Sequence, residues 1–269
     1  MIHAFVRAKA PEDGVIVKEM LTGERLNVIA GEAKALLMGD EALAARVAAR
    51  AAETGLEYTA EVTDDGVLVT AHGIPGHSAY PEGRRSAIVM MLKLFRYLGA
   101  TGSLLQLCDA MESGWDGAGL GCACEDELSG HLTCNMGILH IQHGEIYASL
   151  DMRCPVTADL ALLEKNARAA LSGFTFEDVG VTEPHHVPAD SELVTCLLDA
   201  YHEETGLPAE ACSTGGGTYA KVLKQGVAFG ASFPDDEDVA HQANEYIYIS
   251  KLMKSAKVYA NALLRLCAE

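Results

Sequence analysis

Basic side chains are scarce: 20 Lys and Arg stand against 38 Asp and Glu in 269 residues, a formal net charge of −18. Binding to nucleic acid rests on neutralising phosphates with Lys and Arg, so this balance argues against a nucleic-acid partner. No uninterrupted apolar run approaches the roughly 18 residues that suggest a membrane span. Residues Met1 to Pro11 lack the basic-then-apolar pattern of an export signal. No membrane partner is therefore expected, and the expected location is cytoplasmic. Eight cysteines are too sparse for a disulfide scaffold and are expected to be reduced thiols. Neither a Gly-x-Ser-x-Gly elbow nor a His-Glu-x-x-His helix occurs, which leaves serine-hydrolase and zincin chemistry without support. What is present is ample core material, with 49% hydrophobic and 22% charged residues, enough for one large domain or two ordinary ones.

Periodicity and turn residues give the element order. Arg25 to Ala30 reads as a short strand, and alanine-rich Glu32 to Glu53 as a helix interrupted near Gly39. Leu56 to Val62 and Val67 to Ala71 flank Asp64-Asp65-Gly66, a hairpin signal. Ile88, Met91, Leu92 and Phe95 fall at i, i+3, i+4 and i+7, the stripe of a buried helix face. Periodicity weakens between Gly99 and Thr133, which reads as an insertion. A second hairpin (Asn135 to Ile141, Glu145 to Met152), a helix through Leu160, Leu163, Ala167 and Leu171, and a strand at Thr175 to Val181 follow. That order resembles split β-α-β units, a ferredoxin-like α+β arrangement in which an antiparallel sheet carries its helices on one face. Beyond His185-His186-Val187-Pro188 the pattern changes to an α/β piece. It comprises a helix capped by Asp190 or Ser191, an apolar strand Val227 to Ala231 and a last helix from about Ser250 to Leu266.

Several groups are candidates for chemistry, each with a plainer alternative. His241 follows Asp235-Asp236-Glu237-Asp238, where carboxylates favour cations and an imidazole can ligate zinc; a solvated acidic loop is the alternative. His72 and His77 flank Gly73-Ile74-Pro75-Gly76, a turn-rich loop from which a histidine can reach a ligand or simply meet solvent. Gly215-Gly216-Gly217 before Thr218 offers backbone N–H groups to an anion, a carboxylate rather than a triphosphate, or is only a tight turn. Arg153, at a strand end beside Pro155, suits a two-point carboxylate clamp or a surface pair with Asp151. Cys122, Cys124, His131 and Cys134 lie within a dozen residues, but without the usual C-x2-C spacing of a structural zinc site.

Taken in order, Ala71-His72-Gly73, His77-Ser78-Ala79-Tyr80-Pro81-Glu82-Gly83 and Ser86-Ala87-Ile88 resemble the lid motif of the co-catalytic zinc aminoacylase, carboxypeptidase and dipeptidase family. The tail is closer still to its PepV-type dipeptidase branch. The matching stretches are Gly215-Gly216-Gly217-Thr218-Tyr219-Ala220, Val227-Ala228-Phe229-Gly230 and Ala240-His241-Gln242-Ala243-Asn244-Glu245-Tyr246. The resemblance implies a lid and dimerisation-like domain over 1–186 and the C-terminal portion of a catalytic domain over 187–269. It implies two zinc ions per intact member, His241 as a late zinc ligand, and His77 as the lid histidine that stabilises the oxyanion. Asn27 matches a substrate-contacting lid position, and Arg153 with Gly215, Gly216, Gly217 and Thr218 would hold the carboxylate of a small peptide or amino acid.

One departure bears on all of this. No histidine here is followed two places later by aspartate, and Glu203-Glu204 lies downstream of the lid, where the family's Glu-Glu pair does not. The chain is thus expected to be a truncated member, beginning about where the lid begins. Zinc hydrolysis needs about three protein ligands and a carboxylate base, so the chain alone is expected to be inactive and not to bind its zinc fully. The alternative is a non-catalytic lid or dimerisation module that binds carboxylate ligands or a partner chain. A homo-oligomer, or docking of the tail on its own lid, is expected because the tail should expose apolar residues such as Leu252, Tyr259, Leu263 and Leu266, and a missing catalytic half is a further expected partner.

Overall fold

Alternation of burial sets the architecture of the first 184 residues. In β1 (Ile2–Lys9) the side chains of Ile2, Ala4 and Val6 are buried and those between them face outward, the period of a sheet covered on one side. The computed structural model describes residues 1–230, 232–237, 239 and 244–267. It divides into two compact units, Met1–Pro184 and His185–Glu269.

The first unit continues through β2 (Val17–Thr22), β3 (Val28–Ile29), β4 (Glu32–Leu37), α1 (Glu41–Thr54), β5 (Glu57–Thr63), β6 (Gly66–His72), β7 (Gly76–His77), α2 (Ala87–Leu98) and α3 (Gly102–Ala110). A 3-10 turn at Ala118–Leu120 precedes β8 (Glu125–Asp126), β9 (Gly130–His131), β10 (Thr133–Asn135), β11 (Leu139–Gln142), β12 (Glu145–Arg153), α4 (Leu160–Ala170) and β13 (Thr175–Val181). The main sheet has nine strands in the order β13-β1-β12-β11-β2-β4-β6-β5, with β10 also paired to β12. Every pairing is antiparallel. Residues from α1, α2, α3 and α4 share one core with the inward residues of β1, β4, β6 and β12, so the helices cover one face. The result is a mixed α/β unit on an antiparallel sheet.

The alanine-rich expectation fails at its start. Glu32–Leu37 is a strand, not helix, because Ala33, Ala35 and Leu37 alternate into the core and Ala35 pairs with Val69 of β6. Tertiary pairing overrides alanine's helix propensity. Gly39 then breaks the chain, and the Asp40 carboxylate accepts from the Ala42 amide at 3.0 Å to cap α1. The strand expected over 25–30 shrinks to Val28–Ile29, and the second hairpin splits into β10, β11 and β12. Within the expected insertion lies a regular helix, α3. The buried stripe of α2 is as its periodicity predicts, with Ile88, Met91, Leu92 and Phe95 all inside.

In the second unit α5 (Glu192–Thr205) starts at Ser191, whose hydroxyl accepts from the Val194 amide, and ends at left-handed Gly206. It packs against α6 (Ile249–Cys267) through Leu197, Ala200 and Ala262. Residues 227–230 form no strand, contrary to expectation. An apolar run becomes a strand only with a ladder partner, and no strand is found among the described residues of this unit. No helix of the described residues is long and apolar enough to cross a membrane.

Candidate substrate-binding site

The loop histidine is held by backbone pairing. β3 and β7 form a two-stranded ladder in which Val28 faces His77, and the Ser78 amide donates to the Asn27 carbonyl at 3.0 Å. Asn135 of β10 clasps this segment, its amide donating to the carbonyls of Leu26 at 2.7 Å and Val28 at 3.0 Å. Asn27 and His77 are thereby brought together, with the Asn27 amide group 3.4 Å from His77 Nε2.

The imidazole's proton is placed by its other nitrogen. His77 Nδ1 accepts from the Ala79 amide at 3.1 Å. A neutral ring accepting at Nδ1 must carry its hydrogen on Nε2, so His77 presents an Nε2–H donor beside Asn27. It is the Asn27 side-chain nitrogen, Nδ2, that lies at 3.4 Å from Nε2. Tyr80 tilts against the ring at a centroid distance of 6.1 Å.

Arg153 closes β12, and its partner is the residue two positions earlier on the same strand face. Nε and Nη2 donate to Asp151 Oδ2 at 3.1 and 3.0 Å, and the Ser78 hydroxyl donates to the same oxygen at 3.0 Å. The pair is largely buried, with side-chain exposures of 13% for Arg153 and 3% for Asp151. The pairing with Asp151 is therefore an internal contact, not a surface one. The i, i+2 spacing of Asp151 and Arg153 had given that pair from the sequence, though as a surface one; sequence reasoning missed Ser78 and Asn135 as members of this constellation.

The other candidates are dispersed. Gly215, Gly217 and Thr218 are exposed in the second unit, where the Gly216 amide donates to Thr214 Oγ1 at 3.1 Å. His241 lies outside the described residues. His131 meets Glu82 at 3.1 Å and the Trp115 ring at 4.9 Å, not the neighbouring thiols. Burial pushes the Cys122 thiol up to about 11 and raises that of Cys134 as well. Among the described residues no group of three or more His, Cys, Asp or Glu side chains is placed to hold a metal ion. The described residues by themselves therefore do not make up a zinc site.

The family model for peptidase family M20/M25/M40 matches residues 22–265. The chain belongs to that family. Among curated relatives, "Putative dipeptidase YtjP" of Bacillus subtilis is 31% identical over 267 residues, covering 97% of this chain and 58% of the relative. Beta-Ala-Xaa dipeptidase of Lactobacillus delbrueckii subsp. lactis is 28% identical over 261 residues, covering 93% and 55% respectively. The chain therefore spans little more than half the length of these M20 relatives.

Proposed function

We propose that this chain supplies the lid and substrate-holding side of a dipeptidase, acting on the amide bond of small peptides, and that it does not hydrolyse them alone. The observation that carries the reading is the Nδ1 bond of His77 to the Ala79 amide, which leaves Nε2–H as a fixed donor. A preset neutral donor stabilises developing negative charge on a carbonyl oxygen without reorganising during the reaction. Arg153 would take the free carboxylate of the peptide; Asp151 holds its guanidinium plane in advance, as a two-point carboxylate clamp requires. Within the second unit, Gly215, Gly216, Gly217 and Thr218 are proposed to offer backbone N–H groups to a carboxylate, and His241 to be a single zinc ligand.

These are orienting and charge-stabilising groups. The sequence holds no His-x-Asp pair, so a water-activating centre has too few ligands in this chain. The reading is tested by calorimetric titration of a dipeptide and of its C-terminal amide into the purified chain. Tighter binding of the free acid, lost in Arg153→Met, is expected; equal affinity for acid and amide would contradict it.

A further inference from the structure

In a chain of net charge −18, one cavity of the first unit gathers three cations and no carboxylate. Its volume is about 160 Å³, and its wall includes Arg84, Arg85 and Lys93. None of the three forms an ion pair with a described residue. Arg85 Nε is buried and has no hydrogen-bond partner among the described residues. Three cations around one cavity without a counter-charge repel one another, so an anionic occupant is favoured there.

The cations are not loosely placed. Arg85 exchanges two backbone hydrogen bonds with Ile74, at 2.8 and 3.0 Å, which pins its Cα beside the cavity. The stem of Arg84 lies on Gly76, where an added Cβ would meet its Cδ and Nε at 2.9 Å. Much of the rest of the wall is apolar, with buried Met90 and Met111 and the indole of Trp115, alongside the polar side chains of Ser78, Ser86 and Asn135. An apolar cavity of about 150 Å³ is large enough to take a benzene ring. One aromatic or branched aliphatic group therefore fits against Met90, Met111 and Trp115, with its anionic end at the cations.

We propose that this cavity binds a small free carboxylic acid carrying one aryl or branched alkyl group. The acid's carboxylate sits among the side chains of Arg84, Arg85 and Lys93, which balance its charge. The apolar wall favours such an acid over inorganic phosphate, which has nothing to place against methionine and indole. Ser78 also lines the cavity, so an occupant touches the residue that follows His77 in the chain and donates to Asp151. This site goes beyond the dipeptide reading and does not depend on it.

Trp115 is the chain's only tryptophan, so its fluorescence reports on the cavity. The full chain is titrated with 3-phenylpropionate, the neutral 3-phenylpropanamide, acetate and inorganic phosphate, with calorimetry as a second readout. Saturable binding of 3-phenylpropionate is expected, at least about tenfold tighter than any of the other three. Arg85→Met should weaken the acid by roughly tenfold or more while leaving the amide within about twofold. Lys93→Met, a change at a partly exposed position, repeats the test if Arg85→Met does not fold. No saturation by either readout at millimolar acid, equal affinity for the amide or for phosphate, or no effect of these substitutions would overturn the proposal.

Discussion

The Ser78 hydroxyl donates to Asp151 Oδ2 at 3.0 Å, the oxygen on which the Arg153 guanidinium also forks. Three donors converge on one oxygen of a buried carboxylate. The residue following His77 is thereby tied to the end of β12, and the loop carrying the imidazole is fixed by a largely buried charge pair.

Removing one partner of such a pair leaves a charge stranded. Arg153→Met is expected to destabilise the fold by about 3–5 kcal/mol, and adding Asp151→Asn should recover most of the loss. Urea unfolding of the two single variants and the double variant checks this. A double variant as unstable as Arg153→Met would show that packing of the Arg153 stem, not charge, is what holds the loop.

His77 is partly exposed, and in the proposed function its ring takes part in orienting substrate. His77→Ala should leave the urea midpoint almost unchanged, yet weaken binding of a phosphinic dipeptide analogue by roughly tenfold, the analogue's tetrahedral oxygen standing in for the oxyanion. Unchanged affinity would remove the imidazole from the substrate side.

Burial raises the pKa of several groups in the first unit. The Cys108 thiol and the Tyr58 hydroxyl are each pushed up to about 12, and the Cys122 thiol to about 11. Unfolded, these groups would release their protons at about 8.5–10, while the native state holds on to them. The native state thus binds more protons than the unfolded one. Stability is fully present below about pH 8.5 and falls as pH climbs toward 11–12, at about 1.4 kcal/mol per pH unit for each group in its window. Urea midpoints across this range should decline, and Cys108→Ala should make the decline shallower. A flat profile would contradict burial of these groups.

The α6 helix carries Leu252, Leu263 and Leu264 at exposures of 51%, 61% and 71%. A second copy of this chain is expected to cover that row, so light scattering on the eluting protein should show an oligomer, dispersed by Leu263→Lys with Leu264→Lys. A monodisperse monomer with native sequence would contradict this.

What the sequence made legible was local. The stripe of α2, the hairpin of β5 and β6 and the Ser191 cap of α5 each follow from residues within one turn or one strand. What it hid was long-range. Glu32–Leu37 looks helical by composition and becomes a strand because β6 lies beside it, while Val227 to Gly230 looks like a strand and has no ladder to join. The same holds for the site. His77, Arg153 and Asp151 were marked by chemistry, whereas Ser78 and Asn135 matter only because the fold brings residues 26–28, 77–78, 135 and 151–153 together.

The central claim is that the chain holds a dipeptide but does not cleave it. Incubation of the purified protein with zinc or manganese and a panel of dipeptides, followed by quantifying released amino acids, tests it most directly. The account predicts release no faster than in protein-free controls; metal-dependent turnover that copurifies with the chain would contradict it.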